Sequence, residues 1–77
     1  MTDQLVDVLA AVLLVSTSDL PDEASRRSLG IWTSLKHLQI VAAIEDAFVV
    51  SLTPREIRSI SSVGDLRRLL NERGAIR

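Results

Sequence analysis

The chain has 77 residues, of which 47% are apolar but only 3% aromatic, and its formal net charge at pH 7 is −1. This length is enough for one domain with a modest core, and it argues against an enzyme built around a large pocket. Because the chain has no cysteine and a single histidine, His37, we expect neither a disulfide framework nor a bound metal.

The first segment predicts an amphipathic helix over about residues 3–16, because its apolar residues follow the i, i+3, i+4, i+7 spacing of one buried face. These residues are Leu5, Val8, Leu9, Val12 and Leu13. The stretch is too short to cross a bilayer and lacks the basic start and cleavage site of a secretion signal. We therefore expect a soluble, cytoplasmic protein with no membrane insertion.

A long loop over residues 16–33 follows, in which Pro21, Gly30 and a run of serines break the helical pattern. Loops of this length in small domains usually have a function. The loop leads to Ser34, at the start of a second helix predicted over about residues 34–48. We expect Ser34 to be the N-cap of this helix, its hydroxyl accepting a hydrogen bond from a first-turn N–H.

Two further helices are predicted from their capping signals. The sequence from Thr53 to Glu56 forms a capping box and opens a short helix over about residues 54–59. Ser62 opens a last helix over about residues 62–73, which Gly74 ends. The predicted fold is therefore all-α: a small four-helix bundle with a short third helix and a long first loop, forming one domain over residues 1–77.

Three segments carry a resemblance to a known family: Leu29 to Leu35, Ile44 to Phe48, and Ser62 to Leu70. Their motifs, Leu-Gly before Ser-Leu, Glu-Asp-x-Phe and Val-x-Asp-Leu, resemble those of acyl carrier proteins. The resemblance implies that Ser34 is the attachment site of 4′-phosphopantetheine, transferred from coenzyme A. The thiol of this arm would hold acyl intermediates as thioesters and carry them between biosynthetic enzymes.

The resemblance also implies partners: a phosphopantetheinyl transferase and enzymes of the ketosynthase, acyltransferase or acyl-ligase type. The carrier itself would be a free-standing monomer without catalytic groups. The residues agree, since no nucleophile–base pair, paired carboxylates or glycine-rich phosphate loop can be assembled from the sequence. The arginines after position 50 recur at helical spacing without interleaved aromatic residues, so we do not expect nucleic-acid binding.

The sequence departs from the family pattern at two places. The residue before the serine is Thr33 instead of the usual aspartate, and the second helix starts with Lys36, His37 and Gln39 instead of acidic residues. These departures favour a carrier for a specialised pathway, of a lipid or polyketide type, and an amino-acyl pathway also stays open. The alternative hypothesis is a carrier-shaped interaction domain that is not phosphopantetheinylated because Thr33 replaces the aspartate.

Two sets of further residues are predicted around Ser34. The surface for partner enzymes comprises Ile31, Trp32, Thr33, Leu35, Lys36, Gln39 and Asp46. The apolar interior that could part to shelter an acyl chain comprises Leu38, Val41, Ile44, Phe48 and Ile57. Two alternatives stay open: Trp32 either anchors the loop on the core or contacts partners, and the interior residues are either ordinary core or acyl pocket. We expect His37 at the surface.

Overall fold

The computed structural model describes residues 3–75, which form an all-α bundle of four helices. They are α1 (Gln4–Leu13), α2 (Ser34–Phe48), α3 (Pro54–Ser59) and α4 (Val63–Glu72), and a short 3₁₀ turn lies at Thr17–Asp19. No strand occurs within the described residues. The predicted fold class, with its long first loop and short third helix, is therefore confirmed.

The helix ends follow local backbone chemistry. α1 ends at Leu13, earlier than predicted, because Leu14 adopts a left-handed backbone with φ 59° and ψ 45°. α3 opens with the predicted capping box, in which the Thr53 hydroxyl and the Glu56 carboxylate each accept the other residue's backbone N–H, at 3.1 and 2.9 Å. Gly74 ends α4 with a φ of 70°, a conformation that glycine adopts without strain.

The core lies where α1, α2 and α4 face one another and extends to side chains of the loops. Its buried apolar residues are Leu5, Val6, Leu9, Leu13, Leu20, Ala24, Trp32, Ile40, Val41, Ile44, Leu52, Ile60, Val63, Leu66 and Leu70. Nearly all are aliphatic, as the composition requires. Burying each leucine or isoleucine contributes about 1.5–3 kcal/mol, so apolar packing is the main term that stabilises this domain, which has no cysteine and hence no disulfide.

The long first loop is fixed to the start of α4 by backbone hydrogen bonds. The N–H of Val63 donates to the carbonyl of Ala24, and the N–H of Gly64 donates to the carbonyl of Asp22, both at 2.9 Å. A Cβ atom at position 64 would lie 3.2 Å from the Asp22 oxygen, so this close approach favours glycine. The buried side chain of Leu20 adds an apolar anchor to the same loop.

Ion pairs connect segments that are distant in sequence. Arg67 of α4 bonds the carboxylates of Asp3, before α1, and Asp22, in the loop, at 2.7 and 3.0 Å. The hydrogen bond from Arg67 holds the pKa of Asp3 below its ordinary value, and the same bond raises the pKa of Arg67. Arg73, after α4, likewise pairs with Glu56 of α3.

Candidate functional site

Ser34 is the first residue of α2, and its side chain is exposed. The N-cap is Thr33, whose backbone is extended (φ −76°, ψ 173°) and whose hydroxyl accepts the N–H of Lys36 at 3.2 Å. The prediction that Ser34 caps α2 is therefore wrong by one residue. Both hydroxyl residues suit a cap, but the cap position requires a non-helical backbone, which Thr33 has and Ser34, already part of the helix, does not. The Ser34 hydroxyl consequently has no part in closing the helix.

The first turn of α2 keeps open backbone donors, which the first turn of α4 does not. At α4, loop carbonyls accept the N–H groups of Val63 and Gly64, and the hydroxyl of Ser62 accepts that of Asp65. At α2, neither the N–H of Ser34 nor that of Leu35 has an acceptor within residues 3–75. These donors and the positive end of the helix dipole favour an anion at Ser34.

A buried Trp32–His37 pair lies beneath this turn, with exposed fractions of 3% and 6%. The indole Nε1–H of Trp32 donates to His37 Nδ1 at 3.1 Å, and the ring centroids are 6.2 Å apart. Because Nδ1 accepts this bond, the ring hydrogen lies on Nε2, which donates to the Ile57 carbonyl at 2.9 Å. Trp32 thus anchors the loop, and placing it on the partner surface was wrong.

His37 is also buried, contrary to the surface position that we expected. It begins the buried stripe of α2, which continues with Ile40, Val41 and Ile44. The apolar pattern did not place His37 on this buried face, because histidine is a polar residue. The signal that could have revealed it is the need of a buried indole N–H for an acceptor, since His37, the single histidine of the chain, lies five residues after Trp32.

Lys36, which was predicted on the surface for partner enzymes, is half-buried. Its Nζ donates to the carbonyl of Val12 in the last turn of α1 at 3.0 Å, where a cation complements the helix dipole. Gln39 and Asp46 are exposed, as a partner surface requires. The other acidic residue near the end of α2, Glu45, accepts the N–H of Leu52 at 2.8 Å and so fixes the loop before α3.

Three large apolar side chains are exposed around Ser34. Their exposed fractions are 43% for Ile31, 65% for Leu35 and 61% for Leu38. Leu38 was predicted in the interior, and this was wrong: it lies four residues after Ser34 and shares its outward face, because 3.6 residues complete a helical turn. The apolar spacing alone could not distinguish this face from the buried one.

The other predicted interior residues do lie at the core. Val41 and Ile44 are buried, while Phe48 and Ile57 are half-buried and pack against the buried residues. No group of three His, Asp or Glu side chains within residues 3–75 could hold a metal ion. Over the same residues, no helix combines the length and apolarity needed to cross a membrane.

Comparison with known proteins identifies the family. A family model described as "Phosphopantetheine attachment site" matches residues 3–70, whereas no curated protein matches the chain. Domains of this family bind 4′-phosphopantetheine covalently and are not themselves catalytic. Because the match covers most of the 77 residues, the chain belongs to this phosphopantetheine-binding family, and the predicted relation to acyl carrier proteins is confirmed.

Proposed function

We propose that this chain acts as an acyl carrier whose phosphopantetheine arm is attached to Ser34. The arm supplies a thiol that holds an acyl or related group as a thioester. The protein supplies attachment and presentation and no catalytic group of its own. A tethered substrate reaches successive enzymes at high effective concentration, so each docking contact needs only modest affinity.

The observation that carries this proposal is the setting of Ser34 within a chain that matches the family over residues 3–70. Its exposed side chain stands at the start of a 15-residue helix, where Thr33 already performs the cap. The N–H groups of Ser34 and Leu35 are available to a phosphodiester on the serine oxygen. The residues present therefore fit a phosphate-linked arm at this position.

The exposed apolar residues beside Ser34 favour docking of partner enzymes at the same end of α2. Ile31, Leu35 and Leu38 offer apolar contacts, and Gln39 and Asp46 extend this surface along the helix. We propose as partners a phosphopantetheinyl transferase and enzymes of the ketosynthase, acyltransferase or acyl-ligase type. The pathway would be a specialised lipid or polyketide-type synthesis in the cytoplasm, served by a monomer whose single domain spans residues 1–77.

A second candidate is a carrier-shaped interaction domain whose Ser34 stays unmodified. The observation that favours it is the missing carboxylate at position 33, beside the point where a transferase delivers phosphate with its metal ion. The Thr33→Asp variant distinguishes a carrier site that the transferase does not recognise from a domain that has no carrier function. If only this variant acquires the arm, the carrier site is present and the transferase requires the carboxylate.

Intact-protein mass spectrometry after co-expression with a broad-specificity phosphopantetheinyl transferase tests the proposal. Wild type is expected to gain about 340 Da, the mass that the composition of the arm implies. Ser34→Ala should abolish the gain, whereas Ser62→Ala, which alters the serine at the start of α4, should retain it. An unmodified wild type and an unmodified Thr33→Asp variant, with several transferases, would refute the carrier function.

A further inference from the structure

Two polar contacts flank the first turn of α2 and connect it to its neighbours. The first, which we call the imidazole clasp, consists of Trp32, His37 and the Ile57 carbonyl of α3. The second, the lysine clasp, is the bond from Lys36 Nζ to the Val12 carbonyl of α1. Both belong to the turn that Ser34 begins.

The clasps cover the core-facing side of this turn. Successive residues of a helix are 100° apart, so Lys36 and His37 point to either side of the direction that Ile40 and Ile44 take into the core. Ser34 and Leu38 point outward. An acyl chain that entered the core beside this first turn would therefore have to open one of the two clasps.

Opening the imidazole clasp is unfavourable for a short chain. It would leave the indole N–H, the imidazole and the Ile57 carbonyl without partners in a buried site, and each such loss offsets the burial of about one to four methylene groups. The core beyond holds no ready space beside Ile40, Ile44 and Ile60, whose exposed fractions are 0–1%. A polar acyl group would gain still less from entering.

We infer that the two clasps keep the core closed and that the cargo of this carrier is a short or polar acyl group held outside the bundle. A long apolar chain would remain exposed to water there, at a cost that grows with each methylene group. This inference rests on the proposed function, because it concerns the group that the arm on Ser34 carries.

The test compares arms bearing acetyl and octanoyl groups, loaded enzymatically from the corresponding coenzyme A thioesters. Trp32 is the single tryptophan of the chain and part of the imidazole clasp, so its emission maximum reports opening directly. We expect identical emission maxima and identical Tm values for the two forms. An octanoyl chain that entered the core would bury about six methylenes and raise Tm by more than about 10 °C, and that result would overturn the inference.

A variant without the Trp32–His37 pair tests whether the imidazole clasp is what keeps the acyl chain out of the core. Trp32→Phe with His37→Leu replaces the imidazole clasp with apolar side chains, and here octanoylation should raise Tm above that of the acetylated variant. Equal Tm values would show that the clasp is not what excludes the chain. If the double variant does not fold, Trp32→Phe alone removes the indole donor, and octanoylation of this variant should raise Tm by a smaller amount. An unchanged Tm would also show that the clasp is not what excludes the chain.

Failure of this inference can be distinguished from failure of the proposed function. Intact mass first shows whether Ser34 carries the arm. If it does not, Ser34→Cys provides the sole thiol of the chain, and N-ethyl and N-octyl iodoacetamide then place a short and a long chain at the same position. A rise in Tm with the octyl group alone would show an open core whether or not any transferase recognises the protein.

Discussion

Replacing Thr33 tests whether the residue that departs from the family motif acts as the helix cap. Thr33→Ala removes the hydroxyl that accepts the Lys36 N–H at 3.2 Å, and because Thr33 is exposed, little packing is lost with it. Loss of a threonine cap costs about 1 kcal/mol, within a range of about 0.5–2 kcal/mol. A core this small gives only about 3–5 kcal/mol of stability, so the change is a substantial fraction.

Thr33→Asp should have the opposite sign. The carboxylate keeps an acceptor for the Lys36 N–H and adds a negative charge at the positive end of the α2 dipole, which is worth about 0.3–1 kcal/mol at an exposed site. We therefore expect the stability order Thr33→Asp, then wild type, then Thr33→Ala. The carboxylate that the family motif has at this position would thus serve the helix as well as recognition.

Urea unfolding followed by far-UV circular dichroism measures these differences. With a slope of about 1 kcal/mol/M, the midpoint of Thr33→Ala should fall by about 1 M. Trp32 fluorescence gives a second probe from the adjacent buried residue, and coincident transitions would support two-state analysis. Thr53→Ala, which breaks the cap of α3, is the positive control, and Ser51→Ala, in an exposed loop, should change nothing. An unchanged midpoint for Thr33→Ala, or a loss of stability in Thr33→Asp, would refute the assignment of the cap.

Further predictions concern acid stability and the two faces of α2. Arg67→Gln removes the hydrogen bond that lowers the pKa of Asp3, so the variant should have a lower Tm than wild type near neutral pH. A carboxyl pKa that is lower in the folded than in the unfolded chain stabilises the fold above the unfolded pKa, which is about 3.9 for aspartate. The difference in Tm between wild type and Arg67→Gln should therefore narrow as the pH falls below about 4. A difference that stays constant from pH 7 to pH 2 would contradict the reasoning. Ile40→Ala, at a side chain that is 0% exposed, should cost about 2–5 kcal/mol and so remove most or all of the domain's stability. Leu38→Ala, at a side chain that is 61% exposed, should cost less than about 0.5 kcal/mol in chemical denaturation, and a loss similar to that of Ile40→Ala would place Leu38 back in the core.

Much of the fold followed from local chemistry that the sequence displays. The capping box from Thr53 to Glu56 and the glycine at position 74 act within a single helical turn, so their effect does not depend on distant residues. The apolar spacing of α4 had one interpretation only, since its large apolar residues, Val63, Leu66, Leu69 and Leu70, lie on a single face. The family motifs likewise lie in consecutive residues and could be recognised directly.

The surroundings of Ser34 depended on contacts between segments. α2 carries apolar residues on two faces, and only packing against the rest of the bundle buried Ile40 and Ile44 while leaving Leu35 and Leu38 in solvent. His37 became a core residue because the indole N–H of Trp32 and a carbonyl of α3 satisfy both of its ring nitrogens. Partners that are 5 and 20 positions away on other elements leave no periodic signal in the sequence. The sequence by itself thus determined the four helices, the caps of α3 and α4, and the serine at the end of the long loop, because those depend on neighbouring residues. The tertiary structure decided which side chains close the core beneath that serine, because burial and hydrogen bonding across elements exist only once the helices have packed.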